Sequence, residues 1–339
     1  MLTIRSFNNN DPPTVLKIWN EKAKSIAEMY FGLTIEILEE QLFGSILFDP
    51  KSFFLAFEDE KPLGFLHATI SYNLNELPAN NHIGLIFPPV ISPSVPNQEL
   101  VIQSLIKEAE KYFAKHNATC LLVVNGAPDG FPFYDILYGQ SNPNGILANK
   151  SPLLSIFLSM QYKFLQEIKR FELKLDDYVM PVSEKIHLTN QNYVVHRIPV
   201  WSTDNFWDAF CYRNFFSTEW NVFPKNDYSG RPVAGAVLHE MMSQRSVAFF
   251  KNNLSFKRFI QPQRFLLSNI AVENNLLRNG IGSFLFSTVV RDILENNSSS
   301  TIIESVTSQD NERMIAFLLR HSFKEILSFH LLWKTITPS

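Results

Sequence analysis

Apolar and polar positions follow two rhythms along the chain, one of period two and one of period 3.6, and the two alternate. Leu2 to Phe7 reads as a short strand. Asp11 stands at a helix N-cap, Pro12 opens the helix, and Val15, Ile18, Trp19 and Ala23 share one face. Another helix is expected from Thr34 through Leu42. Ser52 to Phe57 and Pro62 to Ile70 then form a hairpin that turns at Glu58 to Lys61. His82 to Ile91 is a strand interrupted by Pro88 and Pro89, which cannot donate to a ladder. Asn97 caps a helix carrying Val101, Leu105, Ala109, Tyr112 and Phe113, and Thr119 to Val124 is a buried strand. A Gly/Pro-rich loop from Asn125 to Pro152 leads to a short helix and a strand from Phe164 to Leu175.

After Asp176 the order begins again. Tyr193 to Val200 is a strand, Ser202 or Thr203 caps a helix through Phe216, and Pro232 to Met241 is a strand. Phe265 to Val272 is an apolar run of strand length. A polar loop follows, then Gly280-Ile281-Gly282, then a helix whose stripe is Leu285, Val289 and Ile293. Thr301 to Val306 is a strand, Asn311 opens a helix, and Phe323 to Ile336 supplies one or two last strands. The letters repeat as well as the order. Lys61-Pro62-Leu63-Gly64 matches Arg231-Pro232-Val233-Ala234, and Ile91-Ser92-Pro93 matches Val272-Glu273-Asn274. Two copies of one mixed α/β unit are expected, covering 1–176 and 182–339 and joined near Asp176 to Pro181.

Length fits that division, since 339 residues suffice for two domains that each bury a core. Hydrophobic residues at 45%, with 30 phenylalanines, predict folded units with aromatic-heavy interiors. A formal charge of −3 gives no reason to expect nucleic acid or an anionic membrane as a bulk partner. Cys120 and Cys211 are far apart in apolar surroundings and read as buried thiols, so neither a disulfide nor a metal centre is expected. The opening MLTIRSFNNND lacks a basic flank followed by an apolar core, and no apolar run reaches spanning length. The expected setting is cytoplasmic.

The candidate chemistry lies in 265–294. A strand, a glycine loop and a helix together offer backbone N–H groups to a phosphate, and the helix N-terminus adds the positive end of its dipole. Glycine at 280 and 282 removes the Cβ atoms that would stand in the way. A tight turn into a buried helix would use the same letters.

This stretch resembles motif A of the GNAT acyltransferases (general-control-type N-acetyltransferases), V-x-P-x-x-R/Q-x-x-G-x-G/A. Val272, Gly280 and Gly282 fit it, while Asn274 replaces the proline and Leu277 the Arg/Gln, with Arg278 one residue on. The resemblance implies two tandem GNAT-like units, each a mixed, mostly antiparallel sheet flanked by helices. It implies acetyl-CoA as acyl donor, with its pyrophosphate on the N–H groups of Arg278, Asn279, Gly280, Ile281, Gly282 and Ser283. Ile270, Ala271 and Val272 would line the rest of the donor. A second family signature, N-x-x-A-x-x-L-Y-x-x-x-G-F, falls on Asn311 to Phe323. Asn311, Phe317 and Phe323 fit, whereas Leu318 replaces the tyrosine that normally protonates the departing thiolate and Ser322 replaces the glycine. A thiolate of pKa about 8.5 can leave with little help. Asn311 reads equally as a helix cap and as a CoA contact. The stretch Phe133-Tyr134-Asp135-Ile136-Leu137-Tyr138-Gly139 resembles part of the degenerate first half of tandem GNAT proteins.

Counting alike from Ile91 and Val272 puts Glu99 and Val101 opposite the glycines, so the first half is expected to be structural. For a general base, Glu240 ranks above Glu304, and both also read as solvent-facing strand carboxylates; His239 reads as a satisfied strand histidine. Trp207, Phe210, Tyr212, Phe215, Phe216 and Trp220 supply core and, in part, an acceptor wall. Arg245, Lys251, Lys257, Arg258 and Arg264 form a basic insertion, a solvated loop by default, with contact to an anionic acceptor or the CoA phosphates as the alternative. The acceptor is expected to be a small-molecule amine or a peptide, and oligomeric state is not legible. Three functions stay open: an N-acyltransferase, a silent acyl-CoA- or partner-binding protein, and an aminoacyl transferase using charged tRNA. The last lacks the basic stripe with interleaved aromatics that tRNA binding needs.

Overall fold

The structure is a computed structural model, and it describes residues 1–25, 33–45, 48–70, 82–125, 144–148, 151–200, 216–227, 230–241, 263–296 and 300–337. They form two compact units, one of residues 1–168 with 328–339 and one of residues 169–327.

The first unit runs β1 (Leu2–Ser6), α1 (Pro12–Ser25), α2 (Ile35–Leu38), β2 (Phe53–Glu58), β3 (Lys61–Ile70), β4 (His82–Ile86), β5 (Val90–Ile91), α3 (Gln98–Lys115), β6 (Ala118–Val123), β7 (Ile146–Leu147) and α4 (Pro152–Ser159). A long strand, β8 (Lys163–Lys174), begins in this unit and ends in the next. The sheet order is β1-β2-β3-β4-β6. Its first three pairings are antiparallel and β4–β6 is parallel. A parallel pair needs a crossover, and α3 is that crossover. It buries Val101, Leu105, Ala109 and Phe113 of the expected stripe, with Ile102 and Ile106 beside them, and leaves Tyr112 partly buried. Pro88 and Pro89 divide β4 from β5 as expected. Phe7, Phe43, Phe48 and Phe53 gather with ring centroids 4.6 to 5.9 Å apart, one use of the phenylalanine content. Asp11 departs from a simple cap: its carboxylate takes two bonds from Arg5 and one from the Asn8 N–H.

The second unit continues with α5 (Glu184–Asn192), β9 (Tyr193–Val200), β10 (Phe216–Pro224), β11 (Ala234–Glu240), β12 (Arg264–Val272), α6 (Ile281–Asn296), β13 (Ile302–Ser308), α7 (Glu312–Arg320) and the start of β14 (Lys324–Thr335). The order β9-β10-β11-β12-β13 again has three antiparallel pairings and then a parallel one crossed by a helix. Equivalent residues pair: Gly64 lies opposite Ile91 in one unit, and Ala234 lies opposite Val272 in the other. The two letter matches of the repeat are therefore cross-strand neighbours twice over.

One expectation is corrected, and two findings go beyond the reading of the sequence. Phe216 begins a strand, β10, and does not end a helix; the rest of the expected helix lies outside the described residues. Glu184–Asn192 is helical, which its weak apolar stripe concealed. The expected division near 176–181 contrasts with units that divide inside β8, and the chain returns to the first unit at Ser328. There β14 pairs antiparallel with β6, Trp333 opposite Leu122 and Thr335 opposite Cys120. Local periodicity gives a strand but not the edge it joins.

Candidate acyl-CoA site

The strands β12 and β13 begin as a parallel pair and then part. Their register runs from Arg264 opposite Ile302 to Leu267 opposite Ser305 and stops, although β12 continues to Val272 and β13 to Ser308. At that point β12 carries a bulge. Val237 and Leu238 of β11 face Asn269 and Leu267, leaving Ser268 as the extra residue, and a bulge of this kind bends its strand. Beyond it, β12 keeps its β11 partners while Ser268, Asn269 and Ala271 are exposed. An extended chain of ligand can lie along that opened edge and bond to it as a strand would.

The loop at the mouth of the opening is held from behind. The Arg278 carbonyl accepts from Lys185 Nζ (3.0 Å), and the Asn279 carbonyl points at Thr189 Oγ1 (3.1 Å), whose one hydrogen it shares with the Lys185 carbonyl (2.7 Å). The Gly280 carbonyl accepts from the Phe284 N–H (2.9 Å) as the first bond of α6. A trans peptide plane points each following N–H the opposite way, so those of Asn279 and Gly280 face away from α5 and that of Ile281 away from the body of α6. Ile281, Gly282 and Ser283 precede the first helical donor and have no intrahelical partner for their N–H groups. Arg278 and Gly280 both have positive φ, 65° and 87°, the kind of turn that makes anion-binding nests. A Cβ on Gly280 would meet the Lys185 backbone at 3.1 Å. One on Gly282 would sit 3.5 Å from Val272 and 3.6 Å from Phe317, in ordinary contact. The cluster 278–283 is thus a pre-formed set of donors, and Lys185 and Thr189, which shape it, carry no motif by which sequence could have found them.

The titratable candidates separate. Glu240 is half-buried at the end of β11, accepts from Gln263 Nε2 (2.8 Å), and burial holds its carboxyl above the usual range. It lies opposite Phe265, three residues or roughly 10 Å along β12 from the bulge. Glu304 is fully buried and paired with Arg264, which also bonds Glu172 (3.1 Å), itself bonded by Arg170 (2.7 Å). Its charge is committed, and Arg264 is likewise an ion-pair member and not part of a solvated basic loop. His239 is a satisfied strand histidine, joining Ser217 Oγ (2.6 Å) to Ser268 Oγ (2.8 Å); burial lowers its pKa to about 3. Asn311 caps α7, accepting from the Met314 N–H (3.1 Å), which leaves its amide NH2 for other use. Trp220 is core, bonded to Asp292 (3.3 Å). Cys120 is half-buried with its thiol pKa raised by burial. Trp207, Phe210, Cys211, Tyr212, Phe215, the basic residues 245–258 and the 133–139 stretch lie outside the described residues.

Solved structures share this fold. A tandem GNAT protein from the clavulanic acid biosynthesis pathway, solved without AcCoA, matches with a TM-score of 0.65 at 13% identity, over 100% of both chains. The chain has the tandem GNAT fold. A GCN5-related N-acetyltransferase from Sphaerobacter thermophilus matches at 0.59 and 11% identity, over 100% of this chain and 96% of that one. The glucosamine N-acetyltransferase region of a fungal multi-domain GH3 β-N-acetylglucosaminidase matches at 0.65 and 14% identity; this chain, 98% covered, spans 38% of that longer one. No family profile matches the sequence, and no curated protein matches it.

Within the GNAT fold, the two units differ at the equivalent loop, and the count made from sequence needs correction. Six residues, Ser92 to Asn97, precede α3, against eight, Glu273 to Gly280, before α6. Alignment on the helix starts puts Asn97 and Glu99, not Glu99 and Val101, opposite the two glycines; Val101 is core. Asn97 Oδ1 accepts from the Leu100 N–H (3.2 Å), so the first unit caps this helix with its own side chain. In the second GNAT signature, Leu318 is fully buried in the core and Ser322 has φ 66°.

Proposed function

We propose that the second unit is an acyl-CoA-dependent N-acyltransferase that moves an acyl group, acetyl by its structural neighbours' names, to an amine by direct attack in a ternary complex. The observation that supports this is the row of carbonyls at 278–280, directed at α5 and into α6, which turns the N–H groups of 279–281 the other way, next to the helix-start N–H groups of 282 and 283 and the opened β12–β13 edge. Arg278, Asn279, Gly280, Ile281, Gly282 and Ser283 would hold the pyrophosphate, and Ile270, Ala271 and Val272 the pantetheine arm, with an N–H of Ala271 or Val272 toward the carbonyl oxygen. Hydrogen bonds placed where charge develops contribute several kcal/mol in sites of this kind. Glu240 would take the ammonium proton, directly or through water, and the thiolate would leave without a tyrosine. The acceptor would be a small amine or a peptide, the setting cytoplasmic, and the first unit structural.

The test is thermal denaturation with and without coenzyme A, together with free-thiol release from acetyl-CoA over an amine panel. Ligand at a hundred times its dissociation constant should stabilise the protein by about 2.7 kcal/mol. Gly282→Val should fold and lose both the shift and the thiol release. A shift without thiol release from any amine favours the second reading, an acyl-CoA-binding protein without transferase activity, for which buried Leu318 and committed Glu304 speak. Undiminished protection of Gly282→Val would remove both.

A further inference from the structure

We propose that His321 is a positioning residue that turns the Ser283 hydroxyl into a dedicated hydrogen-bond donor of the phosphate loop; this rests on reading 278–283 as the pyrophosphate site. His321 is fully buried in an aromatic cage, with ring centroids 4.5 Å from Phe317, 5.0 Å from Phe286 and 6.4 Å from Tyr178. Hydrocarbon alone would fill such a cage at less cost than an imidazole. Among the described residues its polar contact is Nε2 to Ser283 Oγ, 3.0 Å, and its Nδ1 is buried without a hydrogen-bond partner.

Those two facts choose the tautomer. A buried N–H without an acceptor is the rarer arrangement, so the proton belongs on Nε2 and the bare lone pair on Nδ1. Nε2–H then donates to Ser283 Oγ, and the serine must send its own hydrogen elsewhere. The usual acceptor for a helical serine is the carbonyl four residues back. Here that is Asn279, whose carbonyl points at Thr189 Oγ1 (3.1 Å) and makes no bond with Ser283 among the described residues, and the Gly280 carbonyl accepts from the Phe284 N–H. The remaining direction is outward, from the first turn of α6 and beside the N–H groups of 279–283; Ser283 is partly exposed. Burial, and then the charge of Arg320, lowers the His321 pKa to about 4, so the neutral form persists at neutral pH.

Calorimetric titration with coenzyme A and with inorganic pyrophosphate tests this on the full chain and on Ser283→Ala, His321→Phe, His321→Gln and the Ser283→Ala/His321→Phe double variant. Each variant is first matched to wild type by circular dichroism. Loss of one hydrogen bond to a charged ligand should weaken coenzyme A about tenfold in Ser283→Ala. His321→Phe, which keeps the aromatic packing, should lose as much, the double variant no more than either, and His321→Gln should recover part through its amide N–H. Nitrogen NMR of the free protein should find the proton on Nε2. Wild-type affinity in His321→Phe, additive losses in the double variant, or a proton on Nδ1 overturns the inference while leaving the loop assignment standing. Failure of the wild type to bind either probe removes the loop assignment itself, and the inference with it.

Discussion

Gly280 holds φ 87° against the backbone of Lys185, so a side chain there strains the loop before any ligand arrives. Gly282 has room for a Cβ between Val272 and Phe317. Glu240 makes the companion case for a carboxylate. Its folded pKa is raised by burial, so between the unfolded value of 4.5 and that raised value the native state binds more protons than the unfolded one. Stability therefore falls as pH rises through that window, and above it the charged, half-buried carboxylate is a standing cost. Glu240→Gln should unfold at higher denaturant concentration than wild type at pH 7 and at the same concentration well below pH 4. Thiol release in the wild type should rise with pH through the raised pKa and be lost in the variant. A variant that keeps the wild-type rate and pH profile would exclude Glu240 as the base.

Helix ends show the same economy at the scale of an element. The helix α7 closes with the Phe323 N–H reaching back to the Leu318 carbonyl (3.1 Å) around Ser322, whose φ is 66°. That position suits glycine, and a side chain in the left-handed region costs about 1–2 kcal/mol. Ser322→Gly should stabilise the protein by about 0.5–1 kcal/mol once the added freedom of the unfolded chain is subtracted, seen as a higher urea midpoint with unchanged slope. An unchanged or lower midpoint would contradict it. Elements with one buried face were legible in sequence: α3 and α6 through their stripes, β12 through its apolar run, and the glycine loop through its letters. The strand β10 was not, because Trp220, Asn221 and Val222 are buried in succession and erase the alternation. The helix α5 was not, because only Thr189 among its residues is buried, yet its side chains meet the Arg278 and Asn279 carbonyls of the glycine loop. Glu304 read as an exposed strand carboxylate because its partner, Arg264, comes from another strand, β12.

At the scale of the whole molecule, the first unit is not a continuous stretch of chain. Its strand β6 is completed by residues 328–335, which follow the entire second unit. Residues 1–168 alone should therefore lack a cooperative thermal transition, and joining residues 328–337 to them through a flexible linker should restore one. A sharp transition in 1–168 by itself would show that the last strand is dispensable. The arrangement also has a consequence in time. On the ribosome, residue 328 appears about 160 residues after residue 168, a delay of about 10–30 s at ordinary rates of synthesis. Through that interval the edge of β6 stands without its neighbour, open to pairing with another nascent chain. The danger of misassembly is thus governed by how fast the second unit is translated, and slow codons placed there would lengthen the exposure of a strand they do not encode.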